Sequence, residues 1–277
     1  MKKTSVTDIR SLKGMRRIVA LTAYDCTMAK LVASGGADIL LVGDSLAQCV
    51  KGEETTLSVT LEETIYHTRN VVKGAGTALV VADLPFMSYQ VSTEQGLSNA
   101  GRVMKETGCQ AVKMEGGSPE RCELISRCVE SGIPVMGHIG LTPQSVNAFG
   151  GYVVQGRSDD EGKKIFDQAL NIERAGAFSI VLECIPYQLA KNITLRVSSP
   201  TIGIGAGPYC DGQILVINDL LGMSFWEKKP RFVKVYDDIA SKIIGAVSSF
   251  RDDVVNGEYP EIKHSYKGVD GENGQQD

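Results

Sequence analysis

Five segments of the chain run through aliphatic residues and stop at a group that can hold a charge or move a proton. "ILLVGDS" ends at Asp44 and Ser45, and "LVVADLP" reaches Asp83. "AVKMEGG" carries Lys113 and Glu115, "PVMGHIG" carries His138, and "IVLECIP" carries Glu183. Carboxylates gathered in one place repel one another unless something compensates them. A divalent cation is an economical answer, and all-oxygen ligation favours a hard ion. Mg2+ takes one or two carboxylates, keeps several waters and leaves the remaining positions for substrate oxygens. Asp44 and Asp83, on successive strand-like runs, are the natural direct ligands, with Glu115 next, acting through a water. Lys113 supplies a second positive charge suited to an anionic substrate. Glu183, less engaged by metal, is placed to act as a base. His138 could donate a hydrogen bond or shuttle a proton.

Each of these residues alone has a plainer explanation. A single aspartate after a strand most often caps a helix or closes a loop. A single buried histidine is usually a hydrogen-bonded core residue, and Lys-x-Glu is usually an ordinary ion pair. What favours chemistry is that five strands place their polar residue at the same end.

The elements that must hold them there can be read from the apolar pattern. "RIVALTAYD", "ADILLVGDS", "ALVVADLP", "QAVKMEGG", "IPVMGHIG", "FSIVLECIP", "PTIGIGAG" and "QILVIND" are continuous aliphatic runs. Such runs mark strands covered on both faces, as in parallel sheets. Helical stretches separate most of them. "TLEETIYHTRNVVKGAG" opens with Thr60 and Glu63 at capping-box spacing, and Ser92 with Gln95 repeats the device. Ser118 is an N-cap candidate before Pro119, with Gly132 past the helix end. Only "GAGPYCDGQ" separates the seventh and eighth runs, too short for a full helix.

Eight alternations within 277 residues favour a (β/α)8 TIM barrel; an open doubly wound sheet is the alternative. In a barrel the strand ends converge on one rim. Side chains alternate along a strand, so Lys113 and Glu115 point the same way. All six titratable groups could then line one cavity. Residues 1–265 read as a single barrel domain with one or two C-terminal helices. These would be carried by Phe232, Val235, Ile239, Ile243, Val247 and Phe250, as barrel cover or as an oligomer contact. Residues 141–157 form a long connection without helical period, of the kind that is usually functional. Residues 266–277 are a polar, glycine-rich tail expected to be disordered.

Composition narrows the partners. A net charge of −4 argues against nucleic acid, which calls for a basic stripe. No run approaches the roughly 20 apolar residues of a membrane span. "MKKTSVTDIRSLKGMRR" has no apolar stretch behind it and is not a secretory signal. Seven cysteines without a CxxC pair read as reduced thiols in a cytoplasmic protein. His67 and His264 have no assigned chemistry.

"LTAYD", "VGDS", "ADLPFMSY", "VKMEGG", "GHIGLTPQS", "GGYVVQGR", "LECIP", "IGIGAG" and "DGQILV" resemble, in order, the motifs of the ketopantoate hydroxymethyltransferase family. The likeness runs from about Arg17 to Gly222. It implies a barrel of the phosphoenolpyruvate/pyruvate-binding type. It also implies transfer of a hydroxymethyl group from 5,10-methylenetetrahydrofolate to 3-methyl-2-oxobutanoate, giving 2-dehydropantoate on the route to pantothenate and coenzyme A. By the same likeness Asp44, Asp83 and Glu115 are associated with Mg2+. Asp44, Ser45, Asp83 and Lys113 serve the 2-oxo acid, Glu183 is the proton acceptor, and His138 lies in the pocket. A homo-oligomer, typically a decamer, is implied as well. The chain departs from the family pattern at Ala47-Gln48 and in "KGEETTLSV", so the loop from Ala47 to Leu57 is expected to differ in shape. The alternatives are another Mg2+-dependent 2-oxo acid lyase or mutase on the same barrel, and a non-catalytic sensor of 2-oxo acids.

Overall fold

The computed structural model describes residues 3–224, 226 and 229–268. Its strands are β1 (Ile18–Thr22), β2 (Ile39–Val42), β3 (Leu79–Asp83), β4 (Ala111–Glu115), β5 (Val135–Gly140), β6 (Ser179–Glu183), β7 (Thr201–Ile204) and β8 (Gly212–Leu215). They are parallel and pair in chain order, and β8 closes onto β1. Helices α2 (Cys26–Ser34), α3 (Leu61–Gly74), α4 (Thr93–Thr107), α5 (Pro119–Glu130), α7 (Asp159–Arg174) and α8 (Tyr187–Arg196) fill the crossovers. The expected (β/α)8 barrel is present, and the β7–β8 connection has no helix.

The helix starts follow the expected chemistry. Thr60 and Glu63 satisfy each other's backbone N–H groups at the start of α3, which removes two of its unpaired donors. Ser92 accepts from the Gln95 N–H, and Ser118 accepts from the Arg121 N–H ahead of Pro119.

Alternation along the strands divides the core in two. Leu40, Val42, Val80, Ala82, Val112, Met114, Ile180 and Leu182 point outward and pack with the helices. Ile39, Leu41, Leu79, Val81, Ala111, Met136, Val181, Ile202 and Ile214 point inward and form a separate cluster. A helix that the sequence reading did not anticipate, α1 (Val6–Ser11), belongs to that inner cluster through the fully buried Ile9. It plugs the N-terminal end of the barrel. The polar residues that end β3 to β6 on the inward parity therefore face the opposite, open rim.

Two segments differ from expectation. The 141–157 connection is not without helix: it holds a tight turn at Pro143–Ser145 and the short helix α6 (Val146–Phe149). The apolar spacing from Phe232 does not start a helix either. After the short helix α9 (Ile217–Leu220), the Tyr236 and Ile239 N–H groups bond back to the Leu220 and Leu221 carbonyls. Those donors are thereby used, and helix α10 (Ile239–Asn256) begins only at its Asp238 cap. No residue of α10 is buried, so it does not cover the barrel. Of the tail, residues 266–268 are exposed and carry no element, and 269–277 lie outside the described residues. Among the described residues, no helix is long and apolar enough to cross a membrane.

Strand β5 meets β6 closely at the rim, where Gly140 pairs with Glu183. Gly140 has φ +95°, and a Cβ there would stand 2.2 Å from the Glu183 carbonyl oxygen. Gly101, inside α4, has open space around it. Gly140→Ala is predicted to destabilise the protein by roughly 2–4 kcal/mol through overpacking and left-handed strain. Gly101→Ala should stabilise it by roughly 0.5–1 kcal/mol. Chemical denaturation reads both, and equal effects would contradict the packing described.

Candidate active site

Each crossover delivers its chemistry to the open rim. Asp44, Ser45, Asp83, Lys113, Glu115, His138 and Glu183 all line one cavity of about 1030 Å³. At its floor the Lys113 ammonium donates to Asp83 Oδ2 at 2.6 Å and stands 3.7 Å from Glu115 Oε1. Both partners of the shorter pair are almost wholly buried. The Asp44 backbone N–H points to the same Asp83 oxygen at 3.4 Å, so the turn after β2 folds over the end of β3. Gly43 allows this tight turn, since a Cβ on it would stand 2.9 Å from Ser45 Oγ. The Ser45 hydroxyl is paired with the Tyr24 hydroxyl at 2.8 Å.

From Glu115 the wall continues through β5 and β6 as a chain of titratable groups. His138 Nδ1 lies 3.5 Å from Glu115 Oε1, and His138 Nε2 lies 3.3 Å from Glu183 Oε2. Glu183 is the most open acid of this wall, with 16% of its side chain exposed against 4% for Glu115.

Burial and crowding set the protonation. Burial, then repulsion from Asp83 and Glu115, pushes Asp44 up to about 8. Burial also raises Asp83, although Lys113 opposes it. Burial works against Glu115 as well, but His138 and Lys113 hold its carboxyl below the usual range. For Lys113, burial disfavours the charge, and Asp83, Glu115 and Asp44 outweigh it to hold the ammonium well above the usual lysine range. Burial and Lys113 disfavour an imidazolium at His138, yet Glu115 and Glu183 push it up to about 9. The cluster is short of positive charge chiefly around Asp44.

That shortage bears on a metal. Asp83 Oδ1 and Glu115 Oε1 are buried without a hydrogen bond in the protein, and the donors are all oxygens, as a hard divalent cation requires. Among the described residues no three His, Cys, Asp or Glu side chains converge closely enough to ligate one ion together. The Lys113 ammonium contacts both Asp83 and Glu115. The arrangement fits a cation on Asp44 and Asp83, with Glu115 as an outer partner.

Several residues of the site were not singled out from sequence. Gln144, buried in the Pro143–Ser145 turn, reaches Asp44 and Glu115 together. Tyr24 contacts Ser45, and His67 Nδ1 lies 2.7 Å from the Tyr24 carbonyl, which gives His67 a structural task. The Tyr89 hydroxyl accepts from the Glu115 N–H. The unusual loop from Ala47 forms a single wide turn over Ala47–Lys51, and Gln48 reaches Tyr152 of the 141–157 connection at 3.4 Å. Tyr24, Tyr89 and Gln144 sit in the motifs "LTAYD", "ADLPFMSY" and "LTPQS", so for them motif position was the available signal. All seven cysteines are free.

A family model described as ketopantoate hydroxymethyltransferase matches residues 3–262. A protein of Clostridium beijerinckii named 3-methyl-2-oxobutanoate hydroxymethyltransferase is 54% identical over 267 residues, covering 96% of each chain. One of the same name from Syntrophus aciditrophicus is 51% identical, covering 96% of this chain and 97% of its own. Among solved structures, phosphonopyruvate hydrolase in complex with oxalate and Mg++ aligns with a TM-score of 0.61 at 12% identity. That alignment covers 95% of this chain and 93% of the other. A 2,3-dimethylmalate lyase of the PEP mutase/isocitrate lyase superfamily aligns with a TM-score of 0.59 at 15% identity, covering 97% and 91%. At these identities the structural likenesses speak to the barrel alone, whereas the matches over nearly the whole sequence speak to descent: this chain belongs to the ketopantoate hydroxymethyltransferase family.

Proposed function

We propose that the protein transfers a hydroxymethyl group from 5,10-methylenetetrahydrofolate to 3-methyl-2-oxobutanoate, giving 2-dehydropantoate, with Glu183 as the base. The carrying observation is Glu183, lining the cavity 3.3 Å from His138, in the same cavity as the buried Lys113–Asp83 pair. The family named above has this activity in its name, and family membership favours it over a lyase, a mutase or a sensor.

The chain's own groups divide the work. Lys113 and the Ser45 hydroxyl bind and orient the carboxylate of the 2-oxo acid. Asp44 and Asp83 would hold Mg2+, with Glu115 behind them. When bound, Mg2+ supplies a Lewis acid that polarises the keto oxygen and so acidifies C3–H. Glu183 takes the C3 proton. His138, pushed up to about 9 by Glu115 and Glu183 against burial, stands 3.3 Å from Glu183 Oε2 and leaves the other oxygen for the proton. The resulting carbon nucleophile attacks the one-carbon unit; water supplies the hydroxyl oxygen, the carbon–nitrogen bonds to the folate break, and tetrahydrofolate leaves carrying the proton, all within a cavity of about 1030 Å³ that leaves room beyond a five-carbon acid.

The same reading places the enzyme in the cytoplasm as a homo-oligomer, the decamer of the family resemblance. Helix α10 supports an oligomer, because Ile243, Ile244, Val247 and Phe250 are all exposed on it.

Glu183→Gln should keep 2-oxo acid binding while C3–H exchange into deuterated water falls by about 10²–10⁴-fold. Exchange at the parent rate would remove Glu183 from the base role. Lys113→Met leaves buried carboxylates without their cation, so the variant should unfold about 3–5 kcal/mol more easily. A loss below about 1 kcal/mol, the scale of a surface pair, would contradict the buried-pair account. Turnover should require the reduced folate, and product formed without it would point to a lyase or mutase instead.

A further inference from the structure

Gln144 stands behind two acids of the site, Asp44 and Glu115, without adding to its charge. The residue is 5% exposed, and its side-chain amide is completely used. Its Oε1 accepts from the Tyr89 hydroxyl at 2.7 Å and from Gln90 Nε2 at 2.9 Å. Its Nε2 donates to the Leu84 carbonyl at 2.9 Å and to Asp44 Oδ2 at 3.3 Å. An amide offers two acceptor and two donor positions, and here all four have partners. Turning it over would set Nε2 against the Gln90 amide N–H group and Oε1 against a carbonyl and a carboxylate. The N–H edge is therefore committed to Asp44. The Gln144 backbone N–H also donates to Glu115 Oε2 at 3.1 Å.

One residue of the β5 crossover thus fixes two acids that come from the ends of β2 and β4. Its own anchor is fixed in turn. The Arg121 guanidinium lies 4.1 Å over the Tyr89 ring, donates to the Tyr89 carbonyl at 2.9 Å, and donates to the Glu115 carbonyl at 3.0 Å. A neutral donor matters in this place. Lysine or arginine at this position would neutralise Asp44 and compete with a bound cation, whereas an amide orients the carboxylate and leaves its charge.

We propose that Gln144 is a positioning residue that holds Asp44, and Glu115 beside it, in the orientation that receives a divalent cation and the 2-oxo acid. This rests on the cation reading given above. Outer partners that orient metal ligands typically change affinity by about 10–100-fold when removed.

The test is Mn2+ binding to the full-length protein without substrate, followed by electron paramagnetic resonance, beside steady-state C3–H exchange. Gln144→Met keeps the length and removes the amide; its Mn2+ Kd should rise tenfold or more. The KM for 3-methyl-2-oxobutanoate should rise in parallel, with a smaller fall in exchange kcat at saturating Mn2+. Gln90→Met removes a bond to Gln144 Oε1 without removing a bond to Asp44 or Glu115, and its Kd should rise by threefold or more. If Gln144→Met does not fold, Gln90→Met decides alone. Folded variants whose Mn2+ Kd stays within twofold of the parent overturn the role of Gln144. A parent protein that binds no Mn2+ overturns the cation reading and this inference with it, so the two failures are distinguishable.

Discussion

The Lys113–Asp83 pair, 2.6 Å apart and buried on both sides, is the contact on which the rest of the site depends. An isolated carboxylate in such a place would cost several kcal/mol to desolvate. The pair makes Asp83 tolerable, and the same ammonium reaches Glu115 at 3.7 Å. It leaves one acid too many. Asp44, buried and then pressed by Asp83 and Glu115, is driven up to about 8, and a divalent cation beside it would favour its charged form. The site is built around a deficit of positive charge.

Holding such a deficit requires a rigid frame. The strands supply it from behind, since α1 packs Ile9 into the inner core at one end of the barrel and the other rim opens to the cavity. On that rim neighbouring strands control one another. Gly140 lets β5 approach the Glu183 carbonyl, and the adjacent His138 touches both Glu115 and Glu183. An acid at the base position and an acid near the metal position are therefore linked through one imidazolium.

Most of this was legible from residue order because strands have a period of two. Asp83, Lys113, Glu115, His138 and Glu183 share the inward parity of Val81, Ala111, Met136 and Val181, and apolar runs ending in charge are visible without coordinates. Gln144 and Tyr89 were not legible as site residues. They reach the acids through non-periodic turns, one of which places Met87 at φ +63°. Helix α1 was missed because six residues give little periodic signal. The start of α10 was misread because apolar spacing from Phe232 imitates a helix, while the backbone donors there are spent on α9 carbonyls. Periodic elements disclose their faces; turns disclose only their composition.

The central claim is that acids from separate strands create one place where a divalent cation and a 2-oxo acid bind together. Calorimetric titration of 3-methyl-2-oxobutanoate, with Mg2+ and then with excess EDTA, measures this directly. The account predicts binding that depends on Mg2+ and is lost in Asp83→Asn. Equal affinity in EDTA, or an Asp83→Asn variant that binds as the parent does, would contradict it.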